Sequence, residues 1–176
     1  GQGYIQTTPI QLCLMTAQIA NGGYKIYPKI ILNKNDEDIK PDKFEPLVKN
    51  SKNIKIVQAA MFSSTNEVRG TSYKSRIEDP KYQFAGKTGT AQVKRITKQD
   101  RELDLKTFEI PYEERDHALY VAFGPYRNPR YAVSILIEHG GSGSSIAAPL
   151  AKKLFKKVID RHQIRKDFNS KKYLDI

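Results

Sequence analysis

The segment Phe84–Val93 constrains this chain most, because it places the triplet Lys87-Thr88-Gly89 inside a run that is typical of a β-strand. Glycine within a strand often marks a position where a ligand or another backbone comes close. Two further apolar and β-branched runs follow, Ala118–Phe123 and Tyr131–Glu138, and then an amphipathic helical pattern. This order predicts a sheet that contains the segment, with helices packed against it.

The composition of the chain is that of a folded protein. Of its 176 residues, 39% are hydrophobic and 28% are charged, which suits one domain with its own core and is unlike disordered chains. No apolar run approaches the roughly 18 residues of a membrane-spanning helix. The single cysteine, Cys13, cannot form an internal disulfide and is predicted to be a small buried hydrophobic residue. Because Gly1 is not Met and no signal peptide is present, we expect a fragment of a longer protein.

The formal net charge of +11 is compatible with a polyanionic partner, either nucleic acid or an anionic membrane. The basic residues are spread along the sequence instead of being clustered in one run. We therefore favour a solvated basic surface over a dedicated binding patch. Nucleic-acid binding stays open as an alternative, and a steep dependence of affinity on salt would support it.

The first half of the chain contains two helical patterns separated by polar sequence. Thr8 can cap a helix whose first residue is Pro9 and which ends before Asn21. Its apolar face is predicted to be Ile10, Cys13, Leu14, Ala17 and Ala20. The segment Tyr24–Leu32 is predicted to be a strand pair, or one strand with an irregular break at Pro28. A polar surface excursion over residues 33–50 and a second helix from about Asn53 to Val68 follow. The buried stripe of that helix is predicted to be Ile54, Val57, Met61 and Val68.

The second half predicts the sheet and a closing helix. After a central strand over residues 83–93, the segment Lys94–Asp116 holds six basic and seven acidic residues without periodicity. It is predicted to be a long loop that is mobile or extends from the domain. The turn residues 124–129 predict that the two runs around them form an antiparallel hairpin. Pro149 fits only the first turn of the last helix. Its apolar stripe is predicted to be Leu150, Leu154, Phe155, Val158 and Ile159.

Two well-known kinds of site are disfavoured by residue spacing. Gly86-Lys87-Thr88 ends like a phosphate-binding loop, but that loop needs a glycine five residues earlier, where this chain has Lys81. The histidines His117, His139 and His162 lie more than 20 residues apart and none forms a helical pair with metal spacing. We therefore expect no metal site, and we interpret His139 as a structural or surface residue.

Lys87, Thr88, Gly89 and Thr90 have residue types that suit an edge strand beside a nucleophile. The Lys87 ammonium would favour an anionic neighbour, and the two threonine hydroxyls would bind a carboxylate. Gly89 would let an extended substrate pair with the strand, and the backbone N–H of Thr90 would donate to an oxyanion. A buried strand with an exposed lysine explains the same residues equally well, so both interpretations stay open on this run alone.

Further segments, in a fixed order, resemble the class B penicillin-binding proteins, and among them the elongation-type group called penicillin-binding protein 2. Lys-Thr-Gly is one of the three motifs of penicillin-binding proteins and serine β-lactamases. The matching segments are Gly1–Tyr4, Thr8–Leu12, Ala20–Gly23, Ala85–Val93, His117–Ala118, Ala122–Tyr126, Asn128–Val133 and Glu138–Gly141.

The resemblance implies an α+β transpeptidase fold, with an antiparallel sheet flanked by helices. It implies a serine D,D-transpeptidase that cross-links peptidoglycan stem peptides in cell-wall synthesis, maintains cell shape and is acylated by β-lactams. Catalysis would involve Lys87, substrate binding Lys87, Thr88, Gly89 and Thr90, and the oxyanion hole the backbone N–H of Thr90. No metal or organic cofactor and no nucleic-acid partner are implied, whereas other cell-wall proteins are. The enzyme would be anchored in the inner membrane, with this part in the periplasm.

Two motifs of that family are missing from this sequence. No serine is followed three residues later by lysine, and Ser51-Lys52-Asn53 lies on the wrong side of Gly1-Gln2-Gly3 to be the Ser-x-Asn motif. We interpret Ser51 or Asn53 as a helix cap instead. Residues 1–176 are therefore expected to be the C-terminal portion of one transpeptidase domain, inactive alone, with a peripheral tail at about 161–176. The alternative is a non-catalytic binding or sensor domain of the same fold.

Overall fold

Three β-strands lie at the centre of the fold, which the computed structural model describes over residues 5–28, 45–94 and 105–172. β1 spans Ala85–Ala91, β2 spans His117–Gly124 and β3 spans Tyr131–Ile137. They pair antiparallel in the order β1-β2-β3, so β1 is an edge strand within the described ranges. The predicted hairpin is confirmed, and the predicted central strand is present but shorter at both ends than residues 83–93.

The pairing register divides the strand residues between two faces of the sheet. Residues that are directly opposite each other in antiparallel strands point their side chains to the same side. Thr88 pairs with Tyr120, and Tyr120 pairs with Ile135, on what we call the Tyr120 face. Lys87 pairs with Val121, which places them on the opposite side, the Lys87 face.

The Tyr120 face is covered by the last helix, α3, which spans Ala148–Lys172 and follows a π-helical turn at Gly143–Ala147. Pro149 lies in its first turn, as predicted. Phe84 stacks on Phe155 with ring centroids 5.0 Å apart, and both rings are fully buried. This aromatic pair lies in the larger of two buried apolar clusters.

The predicted apolar stripe of α3 is partly wrong. Phe155 and Ile159 are buried and Val158 is partly buried, as expected, but Leu150 and Leu154 are about 40% exposed. The additional buried positions are Ala148 and Ala151, together with Ala147 at the end of the preceding π-helical turn. Small residues face the sheet at the start of the helix, which lets α3 approach the strands closely and turns the two leucines outward.

The Lys87 face is covered at one end by two helices. α1 spans Pro9–Ala20 and packs mainly against β3, and α2 spans Ser51–Asn66 and packs against β1. Met61 and Phe123 are buried there. The Gln58 side chain donates a hydrogen bond of 2.7 Å to the Ile19 carbonyl, which joins the two helices.

Helix α1 begins as predicted but exposes part of its expected apolar face. Thr8 caps it in a capping box with Gln11, and Pro9 is in the first turn. Ile10 is 61% exposed, while the buried residue is Thr16, whose hydroxyl donates to the Leu12 carbonyl at 2.7 Å. Ile10 was wrongly assigned because helical periodicity alone cannot show that the first turn extends past the sheet. Cys13 is half-buried instead of buried.

Helix α2 begins two residues earlier than predicted. Asn50 is the cap and accepts a hydrogen bond from the Lys52 N–H at 3.0 Å, so neither Ser51 nor Asn53 has that role. Of the predicted buried stripe, Met61 is buried, but Val57 is 41% and Val68 78% exposed. Val68 lies beyond Asn66, where the helix ends, and the second buried residue is Thr65.

Other predicted segments lie partly outside the described residues. Within Tyr24–Leu32, residues 24–28 form a single bridge, Tyr24 to Pro46, instead of a strand, while residues 29–32 are not described. Most of the excursion and residues 95–104 of the charged loop are likewise not described, so loop mobility stays a prediction. The peripheral tail also stays a prediction, although α3 continues to Lys172. Within the described ranges, no helix combines the length and apolar character needed to cross a membrane.

Candidate functional site

The edge strand β1 carries Lys87, Thr88, Gly89 and Thr90 consecutively. Lys87 is exposed, and its Nζ donates hydrogen bonds to the Thr88 carbonyl at 3.0 Å and to Thr88 Oγ1 at 3.2 Å. The two side chains begin on opposite faces of the sheet, but the lysine bends over the strand edge to meet the hydroxyl. A positive charge and a hydroxyl are therefore together at the open edge of β1, which suits a carboxylate ligand.

A cleft of about 480 Å³ opens beside this edge on the Lys87 face. Its floor is apolar and comes from α1, β2 and β3: Leu12, Leu119, Val121 and Leu136. Polar residues at its rim include Lys87, Thr90 and Gln92. An apolar cleft with a few convergent polar groups is the usual form of a ligand site.

Gly89 keeps the middle of this edge open. A Cβ built at Gly89 would lie 3.1 Å from the Cβ of Leu119, tighter than ordinary van der Waals contact. A side chain there would also project into the cleft on the Lys87 face. The predicted reason for this glycine, close approach by an extended ligand, stays a prediction.

The opposite side of β1 rests on a buried network of three hydroxyl groups. Tyr120 Oη lies 2.9 Å from Thr65 Oγ1 and 3.0 Å from Ser72 Oγ, and all three residues are almost completely buried. Thr65 Oγ1 also donates to the Gly86 carbonyl at 3.4 Å. A Cβ at Gly86 would overlap the Tyr120 hydroxyl. The network thus joins α2 and the turn after it to the residue before Lys87.

Burial raises the pKa of Tyr120 above its ordinary value of 10.0, and the hydrogen bonds from Ser72 and Thr65 oppose that shift. The phenol therefore stays neutral. Sequence reasoning missed this network because Tyr120 lies 55 positions from Thr65 and 48 from Ser72. The available signal was a threonine one helical turn after the buried Met61.

Two histidines meet at the far end of the cleft from Lys87. Their rings are 4.9 Å apart and edge-to-face, and His117 lines the cleft. The backbone N–H of His139 donates to His117 Nδ1 at 3.0 Å, so His139 has the structural role that its sequence position indicated. Within the described ranges, no three acidic, histidine or cysteine side chains are grouped as a metal site would need.

Known proteins are similar to this chain in sequence and in fold. The family model described as the penicillin-binding protein transpeptidase domain matches residues 1–156. The chain belongs to this family. The peptidoglycan D,D-transpeptidase MrdA of Salmonella typhimurium is 34% identical over 91% of this chain, which spans only 26% of that relative's length.

Solved structures of the penicillin-binding protein family have the same fold. Pseudomonas aeruginosa PBP2 is 36% identical with a TM-score of 0.70, over 89% of this chain and 31% of that one. PBP2 from Helicobacter pylori, in a complex with MreC, is 31% identical with a TM-score of 0.70, over 91% of this chain and 26% of that one. The predicted α+β fold of the penicillin-binding proteins and the predicted relationship to the penicillin-binding protein 2 group are both confirmed.

Proposed function

We propose that this chain is the C-terminal portion of a peptidoglycan D,D-transpeptidase and supplies one wall of its active site. The observation that carries the proposal is the meeting of Lys87 and the Thr88 hydroxyl at the open edge of β1, above the cleft. Membership of the transpeptidase family supports the same conclusion. The serine nucleophile and its lysine base would come from residues of the full-length protein outside this sequence.

The reaction would be two successive acyl transfers. The serine oxygen adds to the penultimate D-Ala carbonyl of a stem peptide, its proton passes to the base, and the terminal D-Ala leaves as a protonated amine. The amine of a second stem peptide then attacks the acyl-enzyme ester and restores the serine. A β-lactam would acylate the same serine and remain attached.

Each residue of the β1 edge has a distinct role in this proposal. The Lys87 ammonium raises the positive potential beside the nucleophile, and the hydroxyls of Thr88 and Thr90 bind the terminal carboxylate of the substrate. Gly89 leaves room for an extended peptide to lie along the strand. The backbone N–H of Thr90 donates to the oxyanion that forms in each tetrahedral intermediate.

The setting of the full-length protein follows from the same proposal. It would be anchored in the inner membrane with the transpeptidase domain in the periplasm, where stem peptides and β-lactams are found. The complex of Helicobacter pylori PBP2 with MreC supports a partner among other cell-wall proteins. No nucleic-acid partner and no cofactor belong to this proposal.

Labelling with a fluorescent penicillin tests the proposal. The full-length protein should form a covalent adduct on a serine outside residues 1–176, whereas the 176-residue chain alone should form none, because it has no Ser-x-x-Lys motif. An adduct on the short chain, or reversible binding without an adduct on the full-length protein, would contradict it. The second result would favour a binding or sensor domain.

A further inference from the structure

The loop between β1 and β2 carries two large aromatic side chains that are open to solvent. Phe108 is 72% exposed and Tyr112 is 55% exposed. Both belong to the described part of the loop, residues 105–116, which we call the aromatic loop. Single exposed apolar side chains are common on proteins, but neighbouring exposed rings are typical of a surface that binds a ligand.

A single arginine side chain joins the two aromatic residues. Arg115 Nε donates to the Ile110 carbonyl at 2.8 Å, and its Nη2 donates to the Phe108 carbonyl at 3.5 Å. The same guanidinium lies 5.8 Å from the centroid of the Tyr112 ring, which is within the range of a cation–π contact. Phe108 and Tyr112 are therefore close neighbours and not two isolated side chains.

Contacts on two sides attach the aromatic loop to the end of the cleft that is far from Lys87. The Tyr112 ring lies 5.0 Å from the His139 ring, which lies 4.9 Å from the ring of His117, a cleft residue. His139 has a φ of 54°, in the left-handed region, and strained residues of this kind occur often at functional sites. On the other side, Lys94 Nζ, shortly after the end of β1, donates to the Glu114 carboxylate at 2.8 Å. The aromatic loop thus lies where β1 and the cleft end.

The proposed function implies the direction in which a donor peptide would run along β1. It assigns the terminal carboxylate to the Thr88 and Thr90 hydroxyls and the scissile carbonyl to the Thr90 N–H. The residues before the scissile bond would then continue from Thr90 toward Val93, away from Lys87. A stem pentapeptide has three residues before its penultimate D-Ala, and at about 3.3 Å per residue they extend about 10 Å. The chain from Thr90 to Val93 has the same number of steps, so the sugar attached to the stem would arrive beside the aromatic loop.

We propose that Phe108 and Tyr112 bind the glycan strand of peptidoglycan by stacking on a sugar ring next to the donor stem peptide. A pyranose ring presents C–H groups on its faces, and the electron-rich face of an aromatic ring attracts such groups. This inference rests on the proposed function, because the direction of the stem peptide along β1 follows from it. The aromatic loop would make the site prefer a stem peptide that is attached to glycan over a free peptide.

Competition with a labelled penicillin tests the inference in the full-length protein. Two competitors are used: a stem pentapeptide ending in D-Ala-D-Ala, and the same peptide attached to its N-acetylglucosamine–N-acetylmuramic acid disaccharide. For each protein, the measured quantity is the ratio of the two concentrations that halve that protein's own rate of penicillin acylation. Phe108→Leu removes the flat ring but keeps an apolar side chain, whereas Phe108→Tyr keeps the ring. Tyr27→Leu is the matched control, because Tyr27 is 61% exposed and does not line the cleft.

We expect the ratio to follow the ring at position 108. In the wild type, the disaccharide should lower the half-inhibiting concentration about 2- to 10-fold, which is the size of one aromatic stacking contact. Phe108→Leu should bring the ratio close to one, whereas Phe108→Tyr and Tyr27→Leu should keep it. Tm should stay near wild type in all three variants, since each replaced side chain is exposed.

Three outcomes overturn the inference alone, in a wild-type protein that penicillin acylates. They are the absence of a difference between the two competitors in the wild type, a wild-type ratio that persists in Phe108→Leu, and an equal loss of affinity for both competitors in that variant. The first outcome would favour a protein partner as the occupant of the aromatic loop. If penicillin does not acylate the wild type, the proposed function fails and this inference fails with it.

Discussion

The two faces of the sheet differ in how their polar groups are satisfied. On the Tyr120 face, the hydroxyls of Tyr120, Thr65 and Ser72 bond to each other in a closed interior under α3 and α2. On the Lys87 side, at the open edge of β1, the Lys87 ammonium bends over the edge and donates to the carbonyl and hydroxyl of Thr88, whose side chain begins on the Tyr120 face. The same strand is thus fixed from one side and available to a ligand from the other. Substitutions on the first side should change stability, and those on the second should change acylation.

The largest expected effect is on stability and comes from the closed side. Phe155→Ala should lower the free energy of unfolding by about 3–5 kcal/mol, because it removes a fully buried ring that stacks on Phe84. The matched control is Leu154→Ala, one position earlier on the same helix, where the side chain is 42% exposed. It should cost about 0.5 kcal/mol or less. Urea unfolding measures both, and equal losses would show that α3 is rotated from its described orientation.

The next effect is on acylation and comes from the open side. Thr88→Val and Thr90→Val in the full-length protein keep the shape of the side chain and remove a hydroxyl donor to the substrate carboxylate. Losing one such charged hydrogen bond is worth about 1.5–3 kcal/mol, so acylation by penicillin should fall roughly 10- to 150-fold. Thr90→Val retains its backbone N–H and with it the oxyanion donor. Thermal melts should be unchanged. A lowered Tm with normal acylation would mean that these hydroxyls stabilise the fold and do not bind the substrate.

A smaller effect should come from the hydroxyl network under β1. Tyr120→Phe removes one hydroxyl, while Thr65 keeps the Met61 carbonyl and Ser72 keeps the Ser64 carbonyl as acceptors. The free energy of unfolding should therefore fall by only about 1 kcal/mol, with penicillin acylation within about 2-fold of wild type. A loss of acylation as large as that of Thr88→Val would mean that the two faces are not separable.

The smallest effect concerns an exposed contact at the border of the closed side. The Tyr82 hydroxyl donates a hydrogen bond to Asp160. This hydrogen bond lowers the pKa of Asp160 below its ordinary value of 3.8, and the Lys81 ammonium lowers it further by a smaller amount. The contact therefore stabilises the fold above pH 3.8, and the stabilisation is lost as the pH falls through the lowered pKa. Asp160→Asn should melt slightly below wild type at pH 7 and equal to it at strongly acid pH. A difference in Tm between Asp160→Asn and wild type that grows as the pH falls would contradict this prediction.

The sequence predicted the elements of this fold better than their rotation about their own axes. The hairpin and the cap at Thr8 were predictable because turn residues and capping residues act locally. The outward position of Leu154 was not, because it depends on how closely α3 approaches the strands. Asn50 was missed as a cap because Ser51 and Asn53 have the same local chemistry.

The site was predictable only in its linear part. Lys87 to Thr90 are consecutive and form a known motif, so one stretch of sequence was enough to propose it. Their proposed roles in catalysis stay predictions. The support beneath the site was not predictable, because Tyr120 and the strained His139 act through residues that are distant in the chain. Hydroxyl and imidazole contacts of this kind have no periodicity that a sequence pattern could show.

The second-order rate of acylation by a labelled penicillin, measured for Lys87→Ala in the full-length protein beside its thermal melt, tests the central claim most directly. The rate should fall by about 100-fold or more, since a preorganised charge beside the nucleophile is lost, and Tm should be unchanged because Lys87 is exposed. Lys87→Arg should restore the rate only in part, because a planar guanidinium does not replace a compact ammonium. An unchanged rate in Lys87→Ala with a normal melt would mean that β1 is only a structural strand.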